Sequence, residues 1–271
     1  MNEAPKATKQ SIASLYNRVA RQYDRVGPGI FTVLGDLLVE EAQLNAGMRV
    51  LDIGTGRGAI LYPTRQAIQE RGLAVGIDLA WEMVHQTSLE PHPDDPTAML
   101  ICMDGEQLGF AVASFDILLC GFAFFFIDPR LALPEWWRVL KPGGRLAISV
   151  AESTDPNWAW YEEHLLAFHK RHNLPLFSGQ RGVGEINRPA EIVEELHSNK
   201  FRNVRIKIHE LNFEYPDADT WWKAKWTHGA RYPLEHIPSR LLDVFRQDVI
   251  ARAEQTDLRE SFRLACVLAD R

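Results

Sequence analysis

Between Arg49 and Gly58 the chain reads Arg-Val-Leu-Asp-Ile-Gly-Thr-Gly-Arg-Gly, a short apolar strand breaking into three alternating glycines. Ala59–Arg71 reads as a helix beyond them, with Pro63 limiting where its first turn can lie. Strand, glycine turn and helix in that order are half of a βαβ unit, and such units build parallel sheets with right-handed crossovers. The rhythm continues to Val150. Hydrophobic patterning predicts strands at 74–77, 98–103, 114–120 and 145–150 and helices at 81–88 and 130–139. Glu90–Pro96 reads as a loop. Two helices precede the first strand, Ser11–Arg25 and Ile30–Leu44, separated by Gly27-Pro28-Gly29. Past Val150 the rhythm is interrupted by 152–188, rich in aromatics and His. It resumes with a helix at 189–198 and a strand at 204–213, stops again over a Trp-rich helical stretch, and ends on a strand at 261–269.

This divides the chain into an N-terminal helical cap (1–45), a Rossmann-like α/β core (46–151, 189–213 and 258–271) and two insertions that form a lid (152–188 and 214–257). The formal net charge of -6 and the lack of any Lys/Arg run argue against a nucleic-acid partner. No apolar run reaches the roughly 20 residues of a membrane span. The polar start Met1–Gln10 has no signal-peptide core, so the expected location is cytoplasmic. Cys102, Cys120 and Cys266 lie in or beside apolar runs, as reduced buried thiols do, and none has metal-ligand spacing. His164 and His169 miss the i, i+4 spacing of a helical metal pair, so no metal is expected.

The glycine turn alone fits two ligands. Read with Ala59 it is G-x-G-x-x-A, which suits the pyrophosphate of NAD. Asp52, two residues ahead of Gly54, decides between them. A carboxylate there repels a pyrophosphate but suits the ammonium and sulfonium of S-adenosylmethionine (SAM). Asp78 follows 24 positions after Gly54 at a strand end, where an acid grips ribose hydroxyls in either ligand. Leu79 and Met83 could wall an adenine, although Met83 reads equally well as core. Asp104-Gly105 ends the third strand, where an acid can accept from the adenine amine. The three acids converge at the carboxyl edge of the sheet, the ligand edge of open α/β folds.

These residues resemble a known family. Val50–Gly58 resembles motif I, and Gly76-Ile77-Asp78-Leu79 with Met83 resembles motif II, of class I SAM-dependent methyltransferases. Asp104-Gly105-Glu106-Gln107-Leu108 and Glu135–Leu146 resemble segments of the ubiquinone/menaquinone-biosynthesis-like (methyltransferase type 11) group. Tyr16–Tyr23 resembles that group's N-terminal helix, which closes over SAM. The resemblance covers residues 11–150. It implies a seven-stranded sheet in the order 3-2-1-4-5-7-6 with the last strand antiparallel. It implies SAM as cofactor, held by Tyr23, Asp52, Gly54, Thr55, Gly56, Asp78, Leu79, Met83, Asp104, Gly105, Glu106 and Gly121. Arg57 departs from the family, which commonly has a small residue or Cys there. The Asn/Asp-Pro-Pro-Tyr/Phe motif of nucleobase-amine methylation is missing after the fourth strand, where Cys120–Phe126 is aromatic instead.

The acceptor side rests on less. Trp158, Trp160, Tyr161, Trp221, Trp222 and Trp226 in the insertions, with Phe122–Phe126, suit a small apolar or aromatic acceptor of secondary-metabolite, quinone or prenyl type. Methyl transfer is an in-line displacement that mainly needs alignment and exclusion of water. Should the acceptor have to lose a proton, Glu163, His164, His169, His228 and His236 are the base candidates. His228 and His164 rank first because aromatics flank them. The reading admits a homodimer. Its rivals are a SAM-binding protein of this fold without methyl transfer, a cyclase or regulator, and then an NAD-dependent reductase.

Overall fold

The computed structural model describes residues 8–90, 98–153, 155–175 and 188–271. Residues 1–7, most of the 90–96 loop, and 176–187 of the first insertion lie outside the described residues.

The chain opens with α1 (Lys9–Val19) and α2 (Ile30–Ala42). Thr8 starts α1 with a capping box: its hydroxyl accepts from the Ser11 N–H and the Ser11 hydroxyl from the Thr8 N–H. The helix stops at Val19, short of the predicted Arg25. Residues 20–24 turn instead, with Asp24 at φ +58°, and the Asp24 carboxylate accepts from the Phe31 and Thr32 N–H groups at the start of α2. A side chain from outside the helix thus satisfies its orphan donors.

Next come β1 (Arg49–Ile53), α3 (Leu61–Ile68), β2 (Leu73–Asp78), α4 (Trp81–Ser88), β3 (Met99–Cys102), β4 (Phe115–Gly121), α5 (Pro129–Val139) and β5 (Leu140–Ser153). α3 starts two residues later than predicted, which puts Pro63 in its first turn, where a missing N–H costs nothing. β5 begins at Leu140, ahead of the predicted Arg145. Phe115 pairs with Leu140, the register then shifts, and Ile117 pairs with Arg145, so Lys141–Gly144 bulge from a strand instead of ending a helix. The chain closes with α6 (Ala159–Arg171), α7 (Pro189–Ser198), β6 (Arg202–Glu214), α8 (Ala218–Ala224), α9 (Arg231–Glu235), α10 (Ser239–Ala253) and β7 (Arg259–Asp270).

The seven strands form one sheet in the order β3-β2-β1-β4-β5-β7-β6, as the resemblance implied. The first five pair in parallel and β7 runs antiparallel to β5 and β6. Strand parity divides the core. Leu51, Ile53, Leu118, Ile148 and Val267 face α5 and α7, where Trp136 and Leu196 are buried. Val50, Ile117, Leu119, Ala147 and Cys266 face α2 and α3. A third cluster belongs to the insertions: Trp158, Tyr161, Trp221, Trp222 and Phe245 pack on one another, Trp158 stacked on Trp221 at 4.5 Å. Cys120 and Cys266 are buried as expected, but Cys102 is exposed, because its short strand lies at the sheet's edge. Among the described residues no helix is long and apolar enough to cross a membrane.

Candidate functional site

A cavity of about 740 Å³ opens at the carboxyl ends of β1–β4 and is roofed by α1. A second, of about 380 Å³, adjoins it. Both are lined by Tyr23, Gly54, Gly56, Gly121 and Phe122.

The glycine turn lies between them. Gly54 and Gly56 take φ +75° and +52°, a region L side chains rarely adopt. A Cβ on Gly54 would collide with Ala123, whereas one on Gly56 would project into open space beside Tyr23. Four of the turn's N–H groups are spent internally. Gly54 and Thr55 donate to the Ile77 carbonyl at 2.8 and 2.9 Å, Gly58 to Thr55, and Gly56 to Asp78 Oδ2 at 2.9 Å. A pyrophosphate site needs such donors free and pointing at the ligand. This turn is a smooth backbone wall instead, braced from behind by a carboxylate.

Asp78 ends β2 and lines the larger cavity. Its Oδ1 accepts from the Ala80 N–H at 2.8 Å, so each oxygen holds one bond and keeps a lone pair for a ligand. Burial pushes its pKa up to about 6 against those two bonds. Asp52 is fully buried on the α3 side of β1 and lines neither cavity. Both its oxygens lack a hydrogen-bond partner, as does the adjacent Thr55 hydroxyl. Burial pushes its pKa up to about 7, tempered by that hydroxyl and increased by the Asp78 charge. An unpartnered buried carboxylate is costly and marks a place for a donor or cation.

At the far end, Asp104 and Glu106 meet Lys9, which lies ahead of the predicted helix start at Ser11. Lys9 Nζ lies 2.6 Å from Asp104 Oδ2 and 2.5 Å from Glu106 Oε2. Asp104 Oδ1 accepts from the Glu106 N–H, and Glu106 Oε1 from the Asp128 N–H. Lys9, Ile12 and Tyr16 all line the cavity at helical spacing, a signal present in the sequence had the helix been started two residues earlier. Met103, Phe126 and Ile127 complete this end.

Of the twelve residues expected at the cofactor, ten line the larger cavity: Tyr23, Gly54, Gly56, Asp78, Leu79, Met83, Asp104, Gly105, Glu106 and Gly121. Thr55 lines only the smaller one. Met83 is both things the sequence left open, buried in a small cluster with Val19 and Ala80 and facing the cavity. Arg57 turns away from it. Its guanidinium donates to the Ala20 and Gln86 carbonyls and pairs with Glu90 at 2.6 Å, tying the turn to the end of α1 and to α4.

The aromatics divide differently from expectation. Phe124 is core, against Trp136. Phe122 and Phe126 wall the cavity, and Phe122 does so at φ +54°. A bulky residue held in that region costs of order 1–3 kcal/mol and is kept where the site requires it. Phe31 bridges the smaller cavity's wall, stacked on Tyr23 at 5.0 Å and edge-on to Phe122 at 5.8 Å. The insertion tryptophans line neither cavity; they bury one another.

The histidines are not brought together. His164 stacks on Phe245 at 5.3 Å inside the insertion cluster. His228 meets Phe31 edge-on at 5.9 Å, next to the smaller cavity, and its Nδ1 accepts the Ala230 N–H at 3.3 Å. That bond occupies the lone pair a base would use. Burial, with the Lys225 charge, also pushes the His228 pKa down to about 3.

Residues 51–148 match the family described as methyltransferase domain. The chain is 34% identical over 225 residues to malonyl-[acyl-carrier protein] O-methyltransferase of Herminiimonas arsenicoxydans, covering 80% of this chain and 76% of that one. It is 33% identical over 143 residues to aklanonic acid methyltransferase DauC of Streptomyces sp. (strain C5); that match spans 52% of this chain and 65% of the relative, just under two thirds of its length. The fold superposes on the YcgJ protein from Bacillus subtilis with TM-score 0.57 at 24% identity, covering 88% of this chain and 97% of that one. With the strand order, the glycine turn and the matching relatives in agreement, the chain belongs to the class I SAM-dependent methyltransferase family.

Proposed function

We propose that this chain transfers the methyl group of SAM to a small, apolar or aromatic acceptor. The observation that carries this reading is the pair of adjoining cavities, acidic at one end and aromatic at the other, which share the glycine turn, Tyr23, Gly121 and Phe122 as a common wall. SAM supplies a methyl group activated on a sulfonium. The residues fit it: Asp52 has two orphaned buried oxygens behind the cavity wall for a cationic group, reached through water past Thr55, and Gly56 leaves open the space a Cβ would fill. Asp78 offers its remaining lone pairs to sugar hydroxyls, and Asp104 faces the adenine end with Leu79 and Met83. The occupied N–H groups of the turn disfavour NAD.

On the acceptor side, Phe31 and Phe122, set edge-on to each other, present an apolar corner that excludes water and orients the acceptor. Both relatives above are named for methylation of acids, malonyl-[acyl-carrier protein] and aklanonic acid, and a carboxylate or acidic enol needs no base. That agrees with His228 as a neutral ring beside the aromatic wall and places little weight on His164. The insertions 152–188 and 214–257 act as the lid, stiffened by their tryptophan cluster. Incubation with methyl-labelled SAM and a panel of aromatic carboxylic acids, phenols and quinols tests the reading. Label should appear in at least one product; a chain that binds SAM yet labels none would favour the non-methylating rival.

A further inference from the structure

The ion pairs of α1 lead beyond the residues assigned so far. At its first residue Lys9 joins two acids of the cavity floor, Asp104 and Glu106, and the Glu106 side chain is almost wholly buried. At its other end Arg18 grips Glu235 of α9 with two bonds, Nε to Oε1 at 3.1 Å and Nη2 to Oε2 at 2.6 Å. Glu235 is itself held by Arg231. Between them Asn17 Oδ1 accepts the Glu82 N–H at the start of α4, and Ile12 and Tyr16 face down into the cavity. A cofactor in the larger cavity therefore lies beneath one helix that is pinned at both ends, to the acids that follow β3 on one side and to the second insertion on the other.

We infer that Lys9 is a cofactor-retaining residue, holding Asp104 and Glu106 in place and latching α1 over the adenine end of the cavity, with Arg18–Glu235 linking that latch to the insertion. The inference rests on the proposed SAM site. The physics is direct. Asp104 and Glu106 are like charges side by side, and one of them is out of water, so a cation between them offsets both repulsion and desolvation. Lys9 donates a hydrogen bond to Asp104, forms an ion pair with Glu106 and remains partly exposed, so salt screens the latch. α1 has no other charged tie to the cavity floor among the described residues, so breaking the Lys9 pairs frees its first turn to lift and eases the ligand's exit.

Release of S-adenosylhomocysteine from the full-length chain, followed by stopped-flow displacement with excess SAM, tests this. Lys9→Gln should raise the release rate about fivefold to tenfold, the size expected for a partly buried charged network. Lys9→Arg should restore it to within about twofold, since charge and reach are kept. Arg18→Gln should raise it less, about twofold to threefold, because its pair lies away from the cavity, against α9. Added salt should speed release from the wild type clearly more than from Lys9→Gln, which keeps only the Arg18–Glu235 tie, a difference that a purely structural role for Lys9 would not give. A Lys9→Gln rate equal to wild type, failure of Lys9→Arg to rescue, or equal salt acceleration in both proteins would overturn the latch. Absence of S-adenosylhomocysteine binding to the wild type would instead sink the cofactor reading beneath it.

Discussion

At the scale of single residues, the site is defined by carboxylates placed where water is scarce. Asp52 and Asp78 both sit above their ordinary pKa, at about 7 and about 6, because burial disfavours their charged forms. A folded-state pKa raised above the unfolded value gives stability that is full below the unfolded value of 3.8 and is lost as pH rises through the folded one. The ligand-free protein should thus lose stability between about pH 4 and pH 7, and a cationic ligand should recover part of it by pairing with ionised Asp52. SAM affinity is expected to climb with pH through about 6–8, and Asp52→Asn should flatten that climb and weaken binding at the upper end about tenfold. Calorimetric titrations across that range decide it; a pH-independent wild type would remove Asp52 from the ligand's reach. The glycines allow a matched pair of tests. Gly54 and Gly47 both have positive φ, +75° and +85°, but a Cβ on Gly54 collides with Ala123 while one on Gly47 meets nothing. Gly47→Ala should cost about 1 kcal/mol of strain and Gly54→Ala about 2–4 kcal/mol in denaturant unfolding. Equal costs would mean that the turn yields to make room.

At the scale of elements, what was legible depended on whether local pattern or a distant partner sets the boundary. β1, β2 and α4 lie where their periodicity puts them, because each carries an unbroken apolar stripe. α1 was misjudged at both ends. Its start depends on the Thr8–Ser11 cap and its stop on the Asp24 turn, and neither leaves a hydrophobic signature. β5 was cut short because Lys141-Pro142-Gly143-Gly144 reads as a turn; only pairing with β4 on one side and β7 on the other carries the strand across it. The insertion tryptophans were assigned to the acceptor on composition, whereas Trp221, fully buried, is the centre of a cluster of its own. Trp221→Ala should cost about 3–5 kcal/mol, registered by the insertion helices first in hydrogen exchange. Protection lost equally across β1–β5 would show instead that insertion and core unfold as one.

At the scale of the whole molecule, the sheet was the most legible feature. Alternating strands and helices specify a parallel sheet, and the resemblance supplied the order in which the strands lie. The cofactor end was legible for the same reason: Asp52 and Asp78 lie at the ends of β1 and β2 and Asp104 just beyond β3, so topology alone brings them to one edge. The acceptor end was not, because Phe31, Phe122 and His228 come from three distant segments and meet only in the fold. Within the site, the contrast that favours SAM over NAD is between the occupied N–H groups of Gly54, Thr55, Gly56 and Gly58 and the unoccupied oxygens of Asp52. Isothermal titration of the full-length chain with SAM and, separately, with NAD measures it most directly. Saturable binding of SAM with no heat from NAD is the expected result; binding of NAD without SAM would contradict the account.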